Sequence, residues 1–343
     1  MISAAKDDAD RACLAARLAD GPKVFAPTEA ERRLEDWLSE LTPERAGAMR
    51  ALIAAFPLVQ AILLGVAESS LYLFDLMRAD PDRTLRLFRG EPEGHLARLI
   101  AQMSAAAEAG DEADAMRQFR AVKAEAALLI ALCDIGGVWP VMQVTAGLTD
   151  IAVASVRSAL RFLLRQEMAR DRLRPPDAER PEEGSGLVVL AMGKMGAGEL
   201  NYSSDIDLIV FFDLVAPTLA PGIEPQPFFV RFTQGLARML QQRTGDGYVF
   251  RVDLRLRPDP ASTQVAVSTA AALDYYEREG RTWERAAMIK ARPCAGDPKA
   301  GETMIAEISP FVWRKHLDFA ALADVHDMKR QMQTFRGQSE IAV

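Results

Sequence analysis

The stretch GLVVLAMGKMGAGELNYSSDIDLIVFF, residues 186–212, decides the fold of this chain. Its first part, Gly186 to Met192, is a continuous apolar run, which predicts a strand buried on both faces. A glycine-rich turn that carries Lys194 follows, and a second strand opens with Asp205 and Asp207. Because alternate residues of a strand point to the same side, these two carboxylates share a face.

The two aspartates create a charge repulsion that the fold has to accommodate. Along a strand their side chains lie roughly 6–7 Å apart. At that separation two carboxylates repel by about 2–3 kcal/mol when the effective dielectric constant is about 20. A cation between them, or arginines around them, would remove the repulsion, and both arrangements indicate phosphate chemistry.

A third strand is predicted over residues 248–257, where apolar and polar residues alternate. Its polar face places one aspartate, Asp253, among three arginines. Taken alone, this pattern fits a solvated sheet face as well as it fits a site. Next to the first two aspartates, however, a third carboxylate on a neighbouring strand would complete a metal site, and arginines suit a polyphosphate.

Composition and charge exclude several classes of protein. The net charge of -7 over 343 residues argues against a general nucleic-acid binder. Three scattered cysteines without a CxxC pair argue against a disulfide framework or a zinc site and fit a cytoplasmic protein. The most apolar window, Leu58 to Met77, is interrupted by polar and charged residues, so we expect a core helix and no membrane span. The charged N-terminus predicts no signal peptide.

The composition divides the chain into three parts. Residues 1–168 are rich in helix formers and predict an all-helical domain. Residues 169–185 are rich in charge, proline and glycine, which is typical of a linker. Residues 186–343 combine strands with helices, so the predicted class is α+β. Helices are predicted at residues 111–135, 140–168, 228–243, 269–278, 282–291, 298–308 and 319–335.

The glycine turn fits neither of two common phosphate-binding motifs. A P-loop requires GxxxxGK followed by Ser or Thr, but Met195 follows Lys194. A dinucleotide fingerprint requires GxGxxG, whereas Gly193, Gly196 and Gly198 follow the reverse spacing, GxxGxG. Both interpretations are therefore poor.

A Mg²⁺-dependent phosphate site fits the residues better. Glycines such as Gly193 let the backbone approach a phosphate closely. Lys194, Ser203 and Ser204 can contact phosphate oxygens. The three aspartates suit Mg²⁺, a hard cation that prefers carboxylates and substrate phosphates, in a one-metal or two-metal arrangement.

Three segments, in this order, carry a specific resemblance. They are GKMGAGELNYSSDIDLIVFFD at residues 193–213, GYVFRVDLRLRP at residues 247–258 and GRTWERAAMIKARP at residues 280–293. The glycine–lysine pair and the aspartates resemble the DNA-polymerase-β-like nucleotidyltransferase superfamily. Within it, the segments look like the bifunctional glutamine synthetase adenylyltransferase/adenylyl-removing enzymes.

The resemblance implies a fold and a set of roles. The second part of the chain would be a polymerase-β-like nucleotidyltransferase domain, a small mixed sheet with helices. Asp205, Asp207 and Asp253 would be the catalytic residues and would bind Mg²⁺. Arg255 and Arg257 are implied as weaker candidates for binding the phosphate or the phosphorolytic nucleophile, beside the glycine–lysine turn and the two serines.

The resemblance also implies an activity and partners. Family members carry two nucleotidyltransferase-like halves, and this chain resembles the N-terminal half, which removes AMP from a tyrosine of glutamine synthetase by phosphorolysis and yields ADP. The implied partners are glutamine synthetase, the PII signal protein, ADP or ATP, and phosphate. The chain lacks a second copy and ends before the family's Gly-Gly-Ile-Arg-Glu-Ile-Glu-Phe segment, so we expect a truncated catalytic domain.

Two alternatives stay open. One is the opposite direction, the adenylylation of glutamine synthetase from ATP. The other is a non-catalytic module that docks on glutamine synthetase or PII. The three hypotheses differ in whether phosphate, ATP or neither is consumed.

Overall fold

Helices dominate the structure. The computed structural model describes residues 12–215 and 218–313. The structure is 62% helical and contains a small mixed sheet. The predicted α+β class, mostly helical with a small sheet, is confirmed.

Two compact units divide the chain. Within the described residues, the first unit runs to Ala154 and includes Glu199–Tyr202. The second comprises Ser155–Gly198 and the residues from Ser203 onward. The division falls inside a long helix, whereas composition predicts a linker at residues 169–185. The predicted domain boundaries stay a prediction.

The first unit is built from helices connected by short turns. They are α1 (Leu14–Arg17), α2 (Pro27–Glu40), α3 (Pro43–Ala55), α4 (Pro57–Ser69), α5 (Leu71–Ala79), α6 (Pro81–Arg89), α7 (Pro92–Ala105), a 3₁₀ turn (Ala106–Glu108), α8 (Glu112–Ile135) and the first part of α9 (Val141–Ala169). Proline occupies the first turn of five of them, where the missing N–H costs nothing. The prediction of 111–135 and 140–168 as helices agrees with α8 and α9 to within one residue.

The apolar window Leu58 to Met77 contains two helices. Helix α4 ends at Ser69, and the hydroxyl of Ser70 accepts a hydrogen bond from the Leu73 amide, which starts α5. No single helix in residues 12–215 and 218–313 is long and apolar enough to cross a membrane. The bent pair α3 and α4, at 116°, reaches the required length and hydropathy only when taken together.

The second unit is built on a sheet of mixed direction. In the described residues its strands are β1 (Leu187–Ala191), β2 (Ile206–Phe212), β3 (Val252–Asp253), β4 (Ala266–Ser268) and β5 (Arg292–Gly296). The order is β3-β2-β1-β5, and β4 also pairs with β2. Strand β1 is antiparallel to β2 and β5, whereas β3 and β4 are parallel to β2.

Both central strands are buried, as the apolar runs predict. All of β1 is buried, and so is all of β2 except Asp207. The helices of this unit are the rest of α9, α10 (Gly193–Ala197), α11 (Pro225–Gln241), α12 (Thr269–Arg278), α13 (Thr282–Met288) and α14 (Pro298–Val312). Apolar side chains from β1, β2, α12 and α14 form one core. The rings of Phe212 and Phe229 stack at 4.8 Å between centroids on β2 and α11.

The third strand is much shorter than the alternation over residues 248–257 predicts. Only Val252 and Asp253 pair with β2. Before them, the amides of Val249 and Phe250 donate to the Leu240 carbonyl at the end of α11 (2.9 and 3.1 Å). After them, Asp253 accepts from a backbone amide two residues later. The alternating pattern arises from a loop fixed at both ends, and the prediction of a ten-residue strand is wrong.

The C-terminal elements also differ from the sequence prediction. The helix predicted over 282–291 ends at Met288, because Arg292–Gly296 forms β5 against β1. Strand β5 is absent from the prediction. The helix predicted over 298–308 extends to Val312, and the one at 269–278 has the predicted bounds. The helix predicted at 319–335 lies outside the described residues.

Candidate active site

The glycine-rich segment after β1 forms a single helical turn, α10, held very close to its neighbours. Gly193 has a φ of +52°, and a Cβ there would lie 2.9 Å from Oδ2 of Asp207. A Cβ on Gly196 would lie 2.0 Å from the Lys290 carbonyl oxygen. The amide of Met192 donates to the Asp207 carbonyl (2.9 Å), which fixes the start of the turn against β2. Gly196 is therefore required by its close approach to a neighbouring backbone, and Gly193 by its positive φ beside Asp207. The approach of a phosphate to Gly193 stays a prediction.

The pairing of β2 with β3 brings the predicted aspartates together. Asp207 is the direct partner of Asp253 in the parallel register. Asp205 comes two residues earlier, just before β2 begins at Ile206. The carboxylates of Asp205 and Asp253 both raise the pKa of Asp207. The structure thus places three negative charges at the same end of the sheet.

Two of these carboxylates are neutralised by arginines. Arg251 binds Asp205 through its Nε, and its Nη2 donates to the Ser203 carbonyl (2.9 Å). Arg255 donates through Nε to both oxygens of Asp253 (3.0 and 2.9 Å). Hydrogen bonding to Arg255 is the main cause that lowers the pKa of Asp253. Arginines thus reduce the repulsion between the carboxylates, which is one of the two arrangements expected from the sequence.

Asp207 is the carboxylate that this arrangement leaves uncompensated. Its side chain is half-buried, and none of the described residues donates a hydrogen bond to it. Burial is the main cause that raises its pKa, followed by the charges of Asp253 and Asp205. The positive charges of Arg255 and Lys194 oppose this shift. An ionised carboxylate in such a place favours a cation beside it.

The donor set fits Mg²⁺ in its chemistry. Three carboxylates on adjacent backbone segments are the hard oxygen ligands that this ion prefers. With Asp205 and Asp253 turned toward arginines, no group of three or more acidic, His or Cys side chains in the described residues is arranged to hold a metal. Metal binding would therefore require the Asp205 and Asp253 carboxylates to exchange their arginine partners for the ion.

The other residues predicted for the site differ in how they relate to the three carboxylates. Lys194 is exposed on α10, and its charge reaches Asp207. Ser203 contributes its backbone carbonyl to Arg251, and Ser204 directly precedes Asp205. Arg257 is not among the carboxylates' hydrogen-bond partners. It donates instead to the carbonyls of Leu254, Pro260 and Thr263, so its guanidinium holds a loop.

Sequence reasoning did not identify two arginines as site residues. Arg251 belongs to the alternating pattern, where nothing distinguishes it from the other arginines, yet it is the partner of Asp205. Arg292 donates to the carbonyls of Gly196 (3.3 Å) and Met195 (3.4 Å), so it clamps the glycine turn. The sequence indicates Arg292 only by its position in the third segment of the resemblance, GRTWERAAMIKARP. Nothing in the sequence shows that this segment contacts the glycine turn.

The same segment contains a buried acid with a structural role. Glu284 is 1% exposed. It accepts hydrogen bonds from the Arg281 amide (2.8 Å) and from the Tyr275 hydroxyl (3.1 Å). It caps α13 and joins α13 to α12.

Comparison with known proteins assigns the family. The family model described as glutamate-ammonia ligase adenylyltransferase matches residues 59–306. The chain belongs to this family. The resemblance drawn from the three segments is thereby confirmed, including the nucleotidyltransferase class of the family.

Similar curated proteins cover the whole chain. A protein of Rhodopseudomonas palustris is 68% identical over 100% of this chain, and one of Bradyrhizobium diazoefficiens is 70% identical over 96%. One of Xanthobacter autotrophicus is 55% identical over 98%. Each is named bifunctional glutamine synthetase adenylyltransferase/adenylyl-removing enzyme. The chain spans 33–35% of the length of these relatives and corresponds to their N-terminal portion.

Proposed function

We propose that this chain removes AMP from a tyrosine of adenylylated glutamine synthetase by Mg²⁺-dependent phosphorolysis, giving ADP. One observation carries the proposal, namely the pairing of Asp207 with Asp253 on adjacent strands, beside a glycine turn packed against Asp207. The names of the relatives support the protein substrate and the adenylyl group. The match to their N-terminal portion supports the removing direction, as the resemblance implies.

The proposed reaction exchanges one phosphate ester for an anhydride. An oxygen of inorganic phosphate attacks the AMP phosphorus, and the bond from that phosphorus to the tyrosine oxygen breaks. The products are ADP and the free tyrosine. The proton that the attacking phosphate loses balances the one that the tyrosine oxygen gains. In-line alignment of the two oxygens is the main requirement that the protein must meet.

The roles follow from where the side chains lie. Asp205, Asp207 and Asp253 would hold Mg²⁺, and the bound ion supplies positive charge that offsets the phosphate oxygens. The turn at Gly193 lets phosphate approach the backbone without a side chain in the way. Lys194 is exposed and has no acidic hydrogen-bond partner among the described residues, which suits a phosphate ligand.

The remaining predicted phosphate ligands have secondary roles in the proposal. Ser203 and Ser204 lie shortly before β2, and their hydroxyls would serve as phosphate ligands. Arg255 can turn from Asp253 to a phosphate when the carboxylate takes up the metal, since its side chain is 83% exposed. Arg257 is the weakest candidate, because three backbone carbonyls already occupy its guanidinium.

One measurement tests the proposal directly. The purified chain is incubated with AMP-modified glutamine synthetase, Mg²⁺ and phosphate, and ADP is quantified. We expect phosphate-dependent ADP, and we expect it to vanish in the Asp205→Asn/Asp207→Asn variant. Asp246→Asn is the control, since Asp246 is an exposed aspartate in a turn of the same unit.

Other outcomes point elsewhere. Unchanged ADP formation in the double variant would overturn the metal assignment. In a parallel mixture of unmodified glutamine synthetase, Mg²⁺ and ATP, ATP consumption with pyrophosphate release would favour adenylylation, the other activity in the relatives' name. Binding of glutamine synthetase or PII without any turnover would favour the docking module.

A further inference from the structure

The first unit contains a groove that the proposed reaction does not use. Helices α6 and α7 line it with residues at matching helical positions. They are Asp82, Leu85, Arg86 and Arg89 from α6 and His95, Arg98, Leu99 and Gln102 from α7, with Gly90 between the helices and Glu125 from α8. Its volume is about 900 Å³, toward the upper end of the range for small-molecule pockets.

The groove has an apolar and well-ordered floor. Leu85 is 7% exposed and Leu99 is 2% exposed. His95 is 9% exposed, and its Nε2 lies 2.8 Å from Oε1 of Glu125. The floor is therefore fixed by packing and by a hydrogen-bonded pair, and the exposed walls carry the charges.

The two carboxylates at the groove already have cationic partners. Asp82 binds Arg45 through both oxygens, at 3.1 and 2.6 Å. Glu125 is shared between His95 and Arg86, whose Nη2 lies 3.3 Å from Oε2. These acids are thus neutralised by residues other than the two remaining arginines of the groove.

Arg89 and Arg98 remain without a carboxylate. Both side chains are exposed, and neither forms an ion pair or a hydrogen bond with any residue in 12–215 and 218–313. Arg89 lies in the last turn of α6, where a positive charge also suits the helix dipole. That explanation does not apply to Arg98, which lies in the middle of α7 and faces the same groove.

We propose that this groove binds a phosphate-bearing small molecule of nucleotide size, with Arg89 and Arg98 on its phosphate and the leucine floor under its apolar part. Two guanidinium groups on separate helices offer planar pairs of donors that match phosphate oxygens. The volume exceeds what a free phosphate needs and accommodates a nucleoside. All lining residues lie in the first unit, so the inference does not depend on the proposed reaction.

The test is a calorimetric titration of the complete chain with AMP, inorganic phosphate and adenosine in the presence of EDTA. EDTA removes the metal that the carboxylate site would need. Hydrogen exchange across residues 81–105 localises the binding. We expect AMP to bind and to slow exchange there, adenosine to bind at least about tenfold more weakly, and added salt to weaken AMP binding.

Variants assign the binding to the two arginines. In Arg89→Ala/Arg98→Ala we expect affinity for AMP to fall about a hundredfold, since each lost charge-assisted contact is worth about tenfold. The control, Arg78→Ala/Arg117→Ala, removes the same charge from exposed arginines of the same unit that already pair with Glu40 and Asp114.

Each result decides the matter. Binding of AMP and of inorganic phosphate, both lost in the groove variant, supports the proposal, and binding of AMP alone narrows the ligand to nucleotides. No binding of either up to about 10 mM would overturn it. So would AMP binding that is equal in the groove and control variants, or that leaves exchange at residues 81–105 unchanged.

Discussion

Asp207 lies directly opposite Asp253 in the parallel pair of β2 and β3, yet only Asp253 has an arginine bound to it. The consequence is an asymmetry of charge between two neighbouring carboxylates. The pKa of Asp253 is lowered by its hydrogen bonds to Arg255, whereas the pKa of Asp207 is raised by burial and by the two nearby acids. Asp207 is therefore the group whose properties should respond most strongly to a bound cation.

The first prediction concerns the pH dependence of stability without metal. Because the folded-state pKa of Asp207 is raised, the folded protein holds this proton more tightly than the unfolded chain does. Asp207 therefore destabilises the fold above its folded pKa, and this penalty disappears as the pH falls through the interval between the folded and the unfolded pKa. In EDTA, we expect Asp207→Asn to raise the melting temperature at pH about 7 and to have a smaller effect near pH about 4.

Thermal unfolding at both pH values checks this expectation, with Asp246→Asn as the exposed control. Calorimetric titration of Mg²⁺ adds a second measure, since the Asp207→Asn variant should bind the ion at least about tenfold more weakly. A variant that is less stable than the parent at neutral pH in EDTA would contradict the assignment of Asp207 as an uncompensated charge.

The second prediction concerns the glycine turn. Gly193 and Gly198 both have positive φ, at +52° and +76°. A Cβ at Gly193 would meet Oδ2 of Asp207 at 2.9 Å, whereas a Cβ at Gly198 meets nothing within 4 Å. Replacement by alanine should cost about 1–2 kcal/mol of unfolding free energy at each site, because an L-residue is strained there. Only Gly193→Ala should also disturb Asp207.

Urea unfolding and the ADP-forming assay separate the two effects. We expect Gly193→Ala to lose at least about a hundredfold in rate, because a shift of Asp207, the carboxylate proposed to bind the metal, would misplace the reacting groups. Gly198→Ala should keep most of the rate at temperatures where it is folded. Equal losses of activity in the two variants would mean that strain, and not contact with Asp207, explains the glycine at position 193.

The third prediction concerns Arg292 as a positioning residue. Its guanidinium donates to the carbonyls of Met195 and Gly196 and so holds α10 from the side of β5. In Arg292→Ala we expect the KM for phosphate to rise about tenfold, while kcat changes less, since we propose that the turn binds phosphate and the carboxylates stay in place. Arg278→Ala serves as the control, because Arg278 is exposed and pairs only within α12.

The steady-state parameters of both variants, measured at saturating Mg²⁺, provide the check. Arg292→Lys should recover only part of the loss, because an ammonium does not span two carbonyls as a guanidinium does. A fall in kcat with an unchanged KM would argue that Arg292 acts on the transition state instead of on the turn.

Some elements were predictable because local pattern and burial agree. The apolar runs of β1 and β2 are buried on both faces, which is the environment that such runs indicate. Helix α8 begins after Asp111, whose side chain accepts from the Asp114 amide, and ends at Ile135, before Gly136. The nearness of Asp205 and Asp207 was predictable for the same reason, since they flank the first residue of β2.

Other features depend on contacts distant in sequence. Strand β5 contains Pro293 and no alternation, and it exists because it pairs with β1, about a hundred residues earlier. Among three arginines at alternate positions, only the fold decides that Arg251 binds Asp205, Arg255 binds Asp253 and Arg257 holds a loop. The alternating pattern predicts that the three arginines share one face of a strand. Because β3 is only two residues long, they lie in the adjoining loops and bind different partners.

The last prediction separates structure from chemistry in the segment GRTWERAAMIKARP. Glu284 is 1% exposed, and its oxygens accept from the Arg281 amide and the Tyr275 hydroxyl. Glu284→Ala removes the partner of both partly buried donors and the cap of α13, and it should lower the unfolding free energy by about 2–4 kcal/mol. Glu277→Ala, at an exposed position of α12, should cost less than about 0.5 kcal/mol. Urea unfolding measures both values.

The rate of ADP formation per folded molecule should be unchanged in Glu284→Ala at low temperature, because Glu284 contacts no carboxylate of the site. A variant that stays fully folded but inactive would instead place Glu284 in the reaction.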